Sequence, residues 1–181
     1  MATAFAITDT WDAIHDAATR VHFEQRASPM TDYVVATLLA GPKKHEFEGP
    51  VEALALGWAA LPSPLVADIA ALADRFADVM RTTDIRARLE VVTTNACTRV
   101  HADYTDVRLI TTYSGPGTDY AEGDDSGCCL SRIPTGWVGL FKGQLYGRGH
   151  APCLHRSPPV AETGEARLVL VIDTPARRPG N

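Results

Sequence analysis

Hydrophobic positions recur at two different periods along the chain, and the change falls near residue 84. Before it, apolar residues return every three or four positions, the spacing of one helix face. Trp11, Ile14, Ala18 and Val21 predict a first helix from Asp9. Ser28-Pro29 is a start signal, a capping hydroxyl followed by proline. Tyr33, Val34, Thr37 and Leu38 then share a face until Gly41-Pro42 ends it. Polar residues 43–48 read as loop, and residues 50–60 as a short helix carrying Val51, Leu54, Ala55 and Trp58. Ser63-Pro64 repeats the start signal. Leu65, Ile69, Leu72, Phe76 and Met80 follow as an apolar stripe, with Asp68, Asp74 and Asp78 off it. A stripe of this kind packs on a sheet.

After residue 84 the period falls to two. Ala87, Leu89 and Val91 alternate with Arg88, Glu90 and Val92, which predicts a strand over 86–94. Further strands are expected at 107–113, 137–141 and 167–172, separated by turn-formers at 114–117, 123–127, 134–136, 143–149 and 163–164. Short strands between Gly/Pro turns suggest a sandwich or barrel. The expected organisation is a single domain over 1–173, with 1–82 mostly helical support and 83–173 the β core. A short basic tail over 174–181 is expected to be mobile.

Composition narrows the classes. At 181 residues and 45% hydrophobic content the chain can bury a proper core. A net charge of −5 argues against a nucleic-acid partner. No apolar run approaches the ~20 residues of a membrane span. The start M-A-T-A-F-A-I-T-D lacks a signal-peptide pattern, so the cytoplasm is the expected location. Cys97, Cys128, Cys129 and Cys153 form no C-x-x-C pair and read as reduced thiols. Arg99, Arg108, Arg132 and Arg148 either line an anionic pocket or are ordinary surface charges.

The candidate chemistry centres on R-V-H-A-D-Y, residues 99–104. In an extended chain His101 and Asp103 project to one side. Together they make two-thirds of a 2-His-1-carboxylate metal triad, for which His155 is the best third ligand. The pattern H-x-D is weak on its own, so the downstream text matters. It runs L-H-R-S-P-P-V-A-E-T-G-E-A-R-L-V-L-V-I-D over residues 154–173. Two other constellations compete. His150, Cys153 and His155, with Cys128 or Cys129, would suit Zn(II) in a zinc-binding module, although the spacing matches no strong zinc pattern. Ser157 with His155 and an acid would suggest a hydrolase, but no nucleophile elbow surrounds Ser157. No G-x-G-x-x-G or G-x-x-x-x-G-K nucleotide cradle is present.

His101-x-Asp103, His155, Pro159-Val160, Gly164 and Arg167, in that order, resemble the Fe(II)/2-oxoglutarate-dependent oxygenase superfamily over roughly residues 86–173. The resemblance implies a double-stranded β-helix (jelly-roll) with the N-terminal helices packed outside the major sheet, hence mainly β with N-terminal helices. It implies Fe(II) held by His101, Asp103 and His155, and 2-oxoglutarate chelating the iron with its distal carboxylate on Arg167. Dioxygen would drive decarboxylation to succinate and CO₂ with oxidation of a C–H bond in a small-molecule or peptide substrate. Some relatives place Ser or Thr two residues after the arginine, where this chain has Val169. Thr111 and Tyr113 are the hydroxyls expected to replace it. A cupin-type metal enzyme, with Arg167 gripping a substrate carboxylate instead, fits the same residues. L-E-V-V-T-T-N-A-C, H-R-S-P-P-V and T-G-E-A-R-L-V-L also resemble an uncharacterised bacterial domain family of unknown function, whose gene neighbourhoods imply a link to metal homeostasis.

Overall fold

The computed structural model describes residues 10–123 and 129–175. The strands are β1 (Val21–Glu24), β2 (Lys44–Pro50), β3 (Asp84–Val92), β4 (Val107–Ser114), β5 (Asp119–Ala121), β6 (Leu130–Arg132), β7 (Val138–Lys142), β8 (His155–Arg156) and β9 (Arg167–Asp173). The α-helices are α1 (Asp32–Ala40), α2 (Leu54–Gly57) and α3 (Ser63–Met80). A major sheet runs β1-β7-β4-β9-β3-β2 and a minor sheet β6-β5-β8, with every pairing antiparallel.

The major sheet is covered differently on its two faces, and that places the site. One face receives α3, which buries Leu65, Ile69, Leu72 and Phe76. They join Ile85, Leu89, Leu109, Leu140, Leu170 and Ile172 in the larger core. The alternate positions point the other way, where Ile110, Phe141, Val169 and Val171 pack with Ile133 and Cys153 in a second, smaller core. The interior strands β4, β7 and β9 therefore bury residues on both faces. The minor sheet has only three strands and covers only part of the inner face.

Three expectations for the N-terminal part are corrected. Residues 10–15 form a short 3-10 helix, and Val21–Glu24 is a strand. Trp11 and Ile14 are buried as the pattern requires, but Val21 and Phe23 sit opposite Phe141 and Gly139 on β7. Sheet pairing overrides a weak local helical pattern here. The expected loop at 43–48 is the edge strand β2, whose cross-strand neighbours are Lys44/Glu90, Glu46/Arg88 and Glu48/Arg86. Only Phe47 supplies a large apolar side chain, which packs against the larger core. Finally, α1 begins at Asp32 with Thr31 as its cap, while the Ser28 hydroxyl donates to the Tyr113 carbonyl.

Candidate metal centre

His101 and His155 form an isolated antiparallel bridge. Each backbone N–H donates to the other's carbonyl at 2.9 Å, and the rings are 4.9 Å apart. His155 is fixed further by β8, where it pairs with Tyr120 on β5, and by contact of its ring with Phe141. Asp103 lies beyond the bridge outside any strand, its carbonyl accepting from the Gln144 N–H. Gly143 is needed at this crossing: a Cβ there would stand 2.1 Å from the Thr105 carbonyl oxygen and 2.8 Å from that of Asp103.

These backbone arrangements bring ligand atoms of His101, Asp103 and His155 within 4.8 Å of one another, the one such group of metal-binding side chains among the described residues. His101 Nδ1 donates to the Arg99 carbonyl at 2.9 Å, and His155 Nδ1 to the Cys153 carbonyl at 3.2 Å. A carbonyl oxygen can only accept, so both Nδ1 atoms carry a proton, and Nε2 is the ring nitrogen each neutral imidazole would offer to a metal. His155 Nε2 is 3.1 Å from Asp103 Oδ2, and His101 Nε2 is 3.5 Å from Oδ1. Oδ2 is buried and meets no donor in hydrogen-bonding geometry. Burial works against the charge on Asp103, but the contact with His155 and the Arg108 guanidinium hold its carboxyl below the usual range. Two oriented imidazoles and an ionised, unpartnered carboxylate oxygen fit a divalent transition metal.

A cleft open to solvent runs from His101 and His155 past Ile110, Val169 and Val171 to Arg167. Arg167 is 1% exposed and, among the described residues, has no carboxylate partner. Its Nε donates to the Pro116 carbonyl at 2.6 Å. Its terminal nitrogens reach the hydroxyls of Ser157, Thr112 and Thr118 at 2.9, 3.3 and 3.1 Å. Burial pushes this guanidinium down to about 10, Asp119 acting in the opposite direction. A buried cation held only by neutral acceptors leaves room for an anion.

The hydroxyls expected beside Arg167 were Thr111 and Tyr113, and both are corrected. Tyr113 faces α3, where its hydroxyl donates to Asp68 Oδ2 at 2.6 Å; burial and Asp68 push its phenol well above the ordinary value. Thr111 shares that face and sits 3.5 Å from the Gly136 carbonyl. Thr112, Thr118 and Ser157 occupy the position instead. Arg108, one of the four arginines expected either to line an anionic pocket or to be surface charges, lines the cleft and bonds Asp103 directly. The Thr163 hydroxyl donates to Glu165 at 2.8 Å.

The zinc constellation does not assemble among the described residues. His150 Nδ1 faces the Lys142 ammonium at 2.9 Å, Cys153 is buried and Cys129 is exposed. Cys128 and most of the tail lie outside the described residues. No described helix is long and apolar enough to cross a membrane.

The fold has relatives among solved structures. The Pseudomonas putida prolyl-4-hydroxylase is 13% identical with a TM-score of 0.51, covering 92% of this chain and 97% of its own. A full-length Neurospora crassa protein in complex with alpha-KG and 5-formyluracil is 15% identical with a TM-score of 0.52, covering 94% and 79%. Dioxygenase for auxin oxidation 1 from Arabidopsis thaliana, in its 2-oxoglutarate binary complex, is 10% identical with a TM-score of 0.51, covering 77% and 65%. The chain spans less than two thirds of the auxin dioxygenases, 56% of the rice chain and 65% of the Arabidopsis one. At these identities the likeness is one of fold: a double-stranded β-helix of the kind found in Fe(II)/2-oxoglutarate oxygenases, here carrying a His-Asp-His group. No curated protein matches the chain. Its family is nonetheless defined: residues 23–173 match the model described as "Protein of unknown function (DUF1826)", and the chain belongs to that family.

Proposed function

We propose that the protein is an Fe(II)- and 2-oxoglutarate-dependent oxygenase. His101, Asp103 and His155 would hold the metal, and Arg167 the distal carboxylate of the cosubstrate. The iron would supply the oxidative chemistry by activating dioxygen, and the chain supplies position and burial. One observation carries the reading. A buried carboxylate oxygen of Asp103 that meets no hydrogen-bond donor lies 3.1 Å from His155, and His155 and His101 line the same cleft as a buried arginine that has no acid among the described residues. Of the five N–H groups on Arg167, four are donated to a carbonyl and three hydroxyls. The hydroxyls can rotate to donate to a carboxylate, which gives an entering anion both a charge partner and extra donors. Val169, Val171 and Ile110 line the cleft between the two ends and would accept the methylenes of a short dicarboxylate.

Anaerobic titration with Fe(II) followed by 2-oxoglutarate tests this. The expected result is a metal-to-ligand charge-transfer band that saturates, with succinate released once oxygen and a substrate are admitted. Iron binding without such a band would move the protein to a metal enzyme that does not use 2-oxoglutarate.

A further inference from the structure

Arg108 has no role in the reading above, and its environment is unusual for an arginine on a sheet face. It stands on β4 opposite Asp173 of β9. Its Nε and one terminal nitrogen donate to the two oxygens of Asp173, each at 2.8 Å. The other terminal nitrogen donates to Oδ1 of Asp103 at 2.5 Å. The two carboxylates are 5% and 8% exposed, so one guanidinium joins two buried acids. Asp103 needs such support, because it lies in an irregular segment where no strand pairing fixes its side chain. The bond to Arg108 also occupies Oδ1 and leaves Oδ2 alone facing His155.

We propose that Arg108, anchored by Asp173, is a positioning residue that orients Asp103 and restricts it to giving a metal ion a single oxygen. This rests on the metal-centre reading. The fork geometry of the guanidinium matters, because it presents parallel donors to Asp173 while a third reaches Asp103. An ammonium at this position keeps the charge and cannot span both acids. With Asp103 released, its carboxylate is free to rotate or to chelate through both oxygens, which changes the number of positions left open on the metal. Outer-shell partners of this kind are typically worth about 10- to 100-fold in metal affinity.

Co(II) binding to the full chain, followed by visible absorption, is the test. Arg108→Lys keeps the charge and removes the fork; Asp173→Asn keeps the arginine and weakens its anchor. Both are expected to lower Co(II) affinity about tenfold or more, and both are expected to alter the absorption spectrum at saturation. A role confined to folding would lower the melting temperature of the metal-free protein and leave the saturated spectrum unchanged. A purely electrostatic role would leave Arg108→Lys like the unmodified chain. Either result overturns the proposal, as would affinities within threefold of the unmodified protein. If Arg108→Lys does not fold, Asp173→Asn decides by the same criteria. Failure of the unmodified chain to bind Co(II) would instead overturn the metal-centre reading.

Discussion

Replacing Arg167 by Met should separate what this residue does for the fold from what it does for a ligand. The guanidinium is pushed well below its ordinary value, to about 10, chiefly by burial. A depression of that size corresponds to about 3 kcal/mol of charge hydration not recovered inside the protein. The sign follows directly. The penalty is fully present below about pH 10 and fades as the pH rises toward the ordinary guanidinium range, so it acts across the whole neutral range. Met removes it while filling a similar channel. Against this gain, the Pro116 carbonyl loses its donor, which costs about 1–3 kcal/mol, whereas the three hydroxyls can pair elsewhere. The two effects nearly offset, so urea unfolding of the metal-free variant should give a stability within about 1 kcal/mol of the parent. Binding should respond differently. Losing the one N–H that Arg167 has left to donate, a charge-assisted hydrogen bond of about 1.5–3 kcal/mol, weakens 2-oxoglutarate by roughly 10- to 10²-fold. The assay is anaerobic titration of the Fe(II) form, read by its charge-transfer band. A variant destabilised by more than about 3 kcal/mol, with unchanged 2-oxoglutarate affinity, would refute the reasoning and make Arg167 a structural residue.

Three further outcomes are expected. His101→Ala and Asp103→Ala should each abolish stoichiometric Fe(II) binding while leaving the far-ultraviolet circular dichroism unchanged; retention of metal by either purified variant would remove that residue from the ligand set. Burial pushes the Cys153 thiol up to about 12, so at pH 8 only ~1 in 10⁴ is thiolate. Alkylation of the native protein should modify exposed Cys97 and Cys129 and spare Cys153, as peptide mass spectrometry would reveal. Gly143→Ala should lower stability by about 2–4 kcal/mol in denaturant melts, because the new methyl group collides with the backbone carbonyls of Thr105 and Asp103; a wild-type midpoint would mean the crossing is looser than described.

The elements most legible in the sequence were those whose burial is one-sided. The stripe on α3 and the alternation on β3 each follow from a covered face opposite an exposed one. Strand β4 was equally easy to detect but its faces were not, because Leu109 and Ile110 are both buried, in different cores. With no polar face to set the parity, Thr111 and Thr112 look interchangeable. A one-residue difference moved the expected hydroxyls to the helix side of the sheet. A register shift between Thr112 and Ser114 complicates this strand further. His101, Asp103, His155 and Arg167 could be named because their chemistry is rare and their order specific. Thr118 and Ser157 could not, since a hydroxyl in a turn carries no signature of its own. Arg108 escaped for a related reason: its two acids are 5 residues before it and 65 after it, and only the pairing of β4 with β9 unites them. Strands β1 and β2 were hidden because an edge strand needs few apolar residues.

Those outer strands also determine where the larger sheet stops growing. A free border exposes backbone donors and acceptors that could recruit a strand from another molecule. On one side the border is β1, four residues long, too brief a template for stable addition. On the other it is β2, where Lys44, Glu46 and Glu48 leave charges to be desolvated and Pro50 ends the run without an N–H. The molecule can thus keep a wide open sheet for its cleft without offering a seed for fibrillar stacking.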